Sequence, residues 1–346
     1  MSSSGNAASH EVCDASPSTS EAEPLRIVLL GRTGSGRSSS GNTILGRSAF
    51  CVDVSPRSVT TRSQRRSSTV EGRHISVIDT PGFFHTQLSP EEVMTEVGRC
   101  VVLSSPGPHI FLVTLQPGRF TQEESDALKW IEAVFGAGAT TFTMVLFTWG
   151  EQLGGKCMED FLEESNALSE FVSSCNGNYH IFDNNGWNKT EQAGQLLKKI
   201  DMMVMDNGGS YYTNKMFVEA ERAIRNTQEM ILGESGRSVA SPQKEAEPKE
   251  LGAELDKERA REEEEARKRA ERLFWSELVT ALGRGAAEGA GIMGKDKGNG
   301  KTVKVVKRAA ALAASPLSIR SAARVLEGAV KEGSKVLHKH RKTLLH

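Results

Sequence analysis

Residues Gly31-Arg32-Thr33-Gly34-Ser35-Gly36-Arg37-Ser38 follow the pattern G-x-x-x-x-G-[K]-[ST] at every position but one, where Arg37 replaces the lysine. The apolar run Leu25–Leu30 before them has strand length, and Ser38 to Leu45 can begin a helix. Strand, glycine-rich turn and helix together make a phosphate cradle. The glycines let backbone N–H groups converge on an anion, and the helix N-terminus adds partial positive charge. Ser38 is placed to ligate a Mg²⁺ held by the β- and γ-phosphates of a nucleotide. A guanidinium binds phosphate as an ammonium does, but it is bulkier and less mobile. The plain alternative is a glycine-rich turn closing an ordinary strand–helix unit.

Strand-like runs continue at His74–Asp79, His109–Gln116, Thr141–Thr148 and Tyr179–Asp183. Helical segments follow them at Gly36–Leu45, Pro90–Leu103, Thr121–Phe135, Met158–Cys175 and Thr190–Met205, with one more at Asn214–Leu232. Thr121-Gln122-Glu123-Glu124 reads as a capping box. This alternation predicts an α/β P-loop NTPase fold, a mostly parallel sheet with helices on both faces. A helical or disordered C-terminal extension follows.

The expected organisation is a disordered segment at 1–24, a nucleotide-binding domain at 25–232 and a linker at 233–248. A charged segment at 249–294, helical or disordered, and a basic amphipathic tail at 295–346 complete it. In the tail 13 Lys/Arg stand against three Asp/Glu, with Val305, Val306, Leu317, Ile319 and Val325 interleaved. That mixture suits attachment to an anionic membrane surface by shallow insertion, or a solvated tail. No aromatic residue interleaves the basic ones from Lys295 on, so nucleic-acid binding is not expected. The five cysteines, Cys13, Cys51, Cys100, Cys157 and Cys175, form no metal or disulfide pattern, which fits reduced thiols in the cytoplasm. Residues 1–24 lack the apolar core of a signal peptide, and no apolar stretch is long enough to span a bilayer.

Partners for the phosphate loop follow in order. Asp79-Thr80-Pro81-Gly82 ends the second strand-like run. Asp79 can hold the Mg²⁺ shell through water, and Gly82 can offer its N–H to a γ-phosphate. Thr60, with Thr61 as the alternative, lies in the polar stretch between and can complete the metal shell.

With these motifs the chain resembles the GTPases of immunity-associated proteins, the GIMAP family. They are related to plant avirulence-induced proteins and to the septin and chloroplast-import GTPases. The resemblance covers Leu25 to Leu232. It rests on the loop Gly31–Gly46, on Asp79–Gly82, and above all on Leu103-Ser104-Ser105-Pro106-Gly107-Pro108-His109-Ile110-Phe111 leading to Gly118-Arg119-Phe120-Thr121. It implies GTP and GDP as ligands with Mg²⁺, with phosphate contacts from Gly31, Gly34, Ser35, Gly36, Arg37, Ser38 and Ser39. It implies base recognition at Thr148-Trp149-Gly150-Glu151, where Trp149 stacks on the purine and Glu151 accepts from it, and at Asn184 after Asp183. Trp149 and Asp183 depart from the family's usual residues. Phe83 and Phe84 stand where a Ras-like enzyme positions water with glutamine. The resemblance therefore implies slow hydrolysis completed across a homodimer, with Arg119 as a finger in trans. The expected function is a nucleotide-controlled assembly switch, in the cytoplasm or peripheral on internal membranes. The alternative is a non-enzymatic scaffold acting through its extension.

Overall fold

The computed structural model describes residues 23–53, 59–82, 89–118, 120–183, 188–234, 249–289 and 316–344. The strands are β1 (Leu25–Gly31), β2 (Gln64–Val70), β3 (Arg73–Asp79), β4 (Ile110–Leu115), β5 (Thr143–Phe147) and β6 (Tyr179–Ile181). They form one sheet in the order β2-β3-β1-β4-β5-β6. Every pairing is parallel except the antiparallel hairpin of β2 with β3.

Both faces of the central strands are apolar, as a sheet covered on two sides requires. Alternate residues of β1 divide between two cores. Leu25, Ile27 and Leu29 join a cluster with α1 (Arg37–Ile44) and α7 (Lys189–Asp206). Val28 and Leu30 join a larger cluster on the opposite face. That face carries α2 (Pro90–Ser104), α3 (Gln122–Ser125), α4 (Ala127–Phe135), α5 (Met158–Glu163), α6 (Asn166–Ser174) and α8 (Lys215–Glu234). It also carries two further helices among the described residues, α9 (Lys249–Gly289) and α10 (Pro316–Leu344).

Several elements differ from the sequence reading. β2 was not foreseen, because Gln64-Arg65-Arg66-Ser67-Ser68-Thr69 has no apolar alternation; its partner β3 and its edge position make it a strand. The expected helix over Thr121–Phe135 is two helices meeting at Asp126. The capping box starts the first: Thr121 and Glu124 bond each other's backbone N–H groups. The expected helix over Met158–Cys175 is also two, because the Ser165 hydroxyl caps a new start by accepting from Leu168 N. β6 stops at Ile181 rather than Asp183.

The charged segment is helical where it is described. Its inward stripe of Ala266, Ala270, Phe274, Leu278 and Leu282 recurs every four residues and is buried. Bidentate bonds from Arg65 to Glu271 (2.9 and 2.7 Å) and from Arg267 to Glu221 (3.1 and 2.8 Å) tie this helix to β2 and α8. On α10, Leu326, Ala329 and Val330 are buried in the same core. Of the apolar residues expected to insert into a membrane surface, Val325 is exposed on α10, and the side chains of Leu317 and Ile319 lie outside those described. Lys304, Lys307, Arg308, Val305 and Val306 lie outside the described residues. Among the described residues no helix is long and apolar enough to cross a membrane.

Candidate functional site

The site forms where β1 and β3 end and α1 begins. Gly31 closes β1 beside Thr114 of β4. Ser35 is buried behind the loop, its hydroxyl donating to Arg32 O (2.9 Å) and paired with Thr114 Oγ1 (2.5 Å). Gly34 and Gly36 take φ of 80° and 83°. At Gly36 the conformation and the space both select glycine, since a Cβ there would come within 3.0 Å of Thr148 Cγ2. Gly36 caps α1, and its carbonyl accepts from Ser40 N at 2.8 Å. Ser39 lies half-buried on the first turn of α1.

Three oxygens from distant segments meet at this turn. Ser38 Oγ donates to Asp79 Oδ2 at 2.6 Å, and Thr60 Oγ1 donates to the same oxygen at 3.2 Å. The two hydroxyls stand 3.1 Å apart. Thr60, and not Thr61, makes this contact. Arg37 is 5 % exposed and acts electrostatically on Asp79, which is 2 % exposed. Burial pushes the Asp79 carboxyl up, against Arg37 and the hydrogen bonds from Ser38 and Thr60, which pull it down. Burial likewise lowers the Arg37 guanidinium, opposed by Asp79. Arg37 Nη1 and Asp79 Oδ1 are buried without a hydrogen-bond partner among the described residues. Each keeps bonding capacity in a place where an unmet polar group is costly.

The loop after β3 packs directly on the phosphate loop. Thr80 Oγ1 donates to Leu29 O at 2.7 Å. A Cβ on Gly82 would meet Thr33 Oγ1 at 2.5 Å and Thr33 N at 2.7 Å, so only glycine permits this approach.

On the far side, Thr148 Oγ1 donates to Ser35 O at 3.0 Å and joins the end of β5 to the phosphate loop. Trp149 follows in the left-handed region (φ 55°), uncommon for a bulky residue. Its neighbour is fixed by Gly150 N donating to Phe182 O at 2.9 Å. Glu151 is exposed on a short turn over Gly150–Leu153. Asp183 is half-buried, its N donating to Gln192 Oε1 at 2.9 Å. Arg119, Asn184, Phe83 and Phe84 lie outside the described residues.

Two links escaped the sequence reading. Arg32 Nε stands 3.0 Å from Glu124 Oε1, and Glu124 is 1 % exposed. Glu124 Oε2 also accepts from Thr121 N at 3.0 Å, so one carboxylate joins the phosphate loop to the start of α3. The second link is Thr148 to Ser35. The capping spacing was the one available signal for Glu124; nothing local marks its ion pair.

The profile of the AIG1 family matches residues 25–231. Human GTPase IMAP family member 8 is 37% identical over 193 residues, 55% of this chain and 29% of its own length. Immune-associated nucleotide-binding protein 9 of Arabidopsis thaliana is 33% identical over 216 residues, 60% of this chain and 63% of its own. The chain thus spans under two thirds of either relative. Among solved structures, Arabidopsis thaliana Toc33 in complex with GDP and Mg²⁺ is 19% identical over 53% of this chain and 85% of that one, with a TM-score of 0.41. With the profile covering more than half of its residues, from the first strand into α8, the chain belongs to the AIG1 family.

Proposed function

We propose that the chain binds GTP and GDP with Mg²⁺ and changes its assembly state with the nucleotide. The observation that supports this most is the meeting of Ser38, Thr60 and Asp79 at the start of α1, with two hydroxyls on one carboxylate oxygen. The donors are all hard oxygens, which is Mg²⁺ chemistry, and the second oxygen of Asp79 is buried and unpartnered among the described residues. Ser38 and Thr60 would hold the ion, and Asp79 would hold water around it. Bound there, the ion neutralises charge on the β- and γ-phosphates. Gly34, Ser35, Gly36 and Ser39 frame the phosphates. Arg37 directs a buried cation at them, and Gly82 supplies an N–H for the terminal one. Trp149 stacks on the base, while Glu151 and Asn184 select guanine. The names of the relatives, a GTPase and a nucleotide-binding protein, agree with this reading.

Calorimetry with GDP, GTP and ATP tests it. Binding of both guanine nucleotides, weakened by chelating Mg²⁺, with ATP much poorer, is the expected result. No heat with any nucleotide defeats the proposal. The assembly role rests on Arg119 acting across a homodimer. Light scattering should show a larger mass with a non-hydrolysable GTP analogue than with GDP.

A scaffold without turnover is the second reading. It is favoured by the guanidinium buried in the lysine's place. Guanine binding without phosphate release at dimer-forming concentrations would select it.

A further inference from the structure

We propose that the free edge of β2 and the adjoining face of α2 form a docking groove for an acidic, extended segment of a partner protein. The groove has a volume of ≈ 380 Å³. Arg62, Arg65 and Arg66 line it along the strand, and Arg99 and Leu103 line it from the helix. No carboxylate lines it among the described residues. Arg65 is neutralised from behind by Glu271, with oxygens at 2.9 and 2.7 Å. The others have no such compensation among the described residues. Arg66 donates to two neutral acceptors, Arg65 O at 3.0 Å and Gln64 Oε1 at 3.1 Å. The Arg99 guanidinium lies over the Trp275 ring, 5.6 Å from its centre. Arg62 is exposed. Three uncompensated guanidinium groups therefore flank one groove beside an apolar side chain.

The groove is preformed. Ser63 N donates to Glu96 Oε2 at 2.5 Å, and Ser63 Oγ to Glu96 O at 3.2 Å, so the strand entry and α2 are fastened together. Among the described residues β2 is the outermost strand and pairs only with β3. An open edge of this kind invites another strand. Here the Arg65 and Ser67 carbonyls are covered by guanidinium groups of Arg66 (3.0 Å) and Arg47 (2.8 Å). A second copy would bring the same positive edge and be repelled. An acidic segment meets the opposite situation: its carboxylates draw Arg66 and Arg47 away, and the released carbonyls accept from its backbone. Charge thus selects the partner and main-chain bonding holds it.

The test uses the full chain and a fluorescent peptide of alternating glutamate and threonine, with a lysine–threonine peptide as control. Anisotropy should show salt-sensitive binding of the acidic peptide only. Arg62→Glu combined with Arg66→Glu alters two exposed side chains and should weaken acidic-peptide binding by roughly tenfold or more while creating affinity for the lysine peptide. The neutral pair Arg62→Gln with Arg66→Gln should lose acidic-peptide binding without gaining the lysine peptide. Acidic-peptide affinity unchanged in both variants overturns the proposal. So does binding of phosphoinositide vesicles or inositol polyphosphate by the parent without any binding of the peptide. Nucleotide affinity measured alongside separates a failure here from a failure of the nucleotide reading, on which this groove does not depend.

Discussion

Arg37 places a planar fork where a lysine would end in a compact ammonium, and it does so at 5 % exposure with Nη1 unpartnered among the described residues. Arg37→Lys keeps the charge and removes bulk. It should tighten GDP binding severalfold or raise turnover; an unchanged calorimetric affinity together with an unchanged rate would show that the arginine is no handicap. Gly82 makes a different demand. A Cβ there sits 2.5 Å from Thr33 Oγ1 and 2.7 Å from Thr33 N, too close to a backbone atom for either loop to stay in place. Gly82→Ala should therefore weaken GTP binding by roughly tenfold, about 1.4 kcal/mol. GDP should suffer less, because the displaced N–H is assigned to the γ-phosphate. Glu151 is exposed, so its removal should act on selectivity more than on stability. Competition between GDP and ADP measures that directly: the parent should discriminate strongly and Glu151→Ala weakly.

Between elements, Glu124 is the joint to examine. It links the phosphate loop at Arg32 to the start of α3 at Thr121 and is 1 % exposed. Removing one member of a buried pair strands the other, at about 3 kcal/mol. Glu124→Gln should lower the urea midpoint accordingly, and a cycle with Arg32→Ala should show strong coupling. The central strands were legible because their residues are apolar on both faces, and the phosphate loop because its glycine spacing is local. Asp79 was legible from its place after a strand. β2 was not, since its polar residues are specified by the partner strand. The break at Asp126 was hidden too, because Ala127–Phe135 continues the apolar pattern without proline or glycine. The Thr148–Ser35 and Arg32–Glu124 contacts join residues that only the folded sheet brings together, and no spacing rule reaches that far.

For the molecule as a whole, a buried histidine and a half-buried one contribute to the response to acid. Burial pushes His180 down to about 4, aided by Lys199, and pushes His109 down to about 3, aided by Arg26 and Arg73. The unfolded chain takes up these protons near pH 6.5 and the folded chain does not. Their contribution is complete above pH 6.5 and is lost as pH falls from there toward 4, at about 1.4 kcal/mol per pH unit per histidine. Melting temperatures measured from neutral pH downward should fall in that window, and His180→Asn should flatten the slope. Surface charge has a separate reach. Arg324, Lys331, Lys335 and Lys339 are exposed on α10 beside an exposed Val325, while Leu326, Ala329 and Val330 face inward. Attraction to anionic vesicles should therefore be weak and abolished by high salt. Truncation at Met293 should lower the melting temperature, because it uncovers apolar surface on α8, α9 and α4. Gly98 of α2 lies under Leu326 of α10 and Leu278 of α9, where a Cβ would sit 3.0 and 3.2 Å from their side chains. A ribosome delivers these three residues in order of their numbers. Until Leu326 has left the exit tunnel, one flank of every nascent chain stays greasy and uncovered. The nucleotide pocket can be complete well before translation ends, and nascent-chain chaperones have that interval in which to bind.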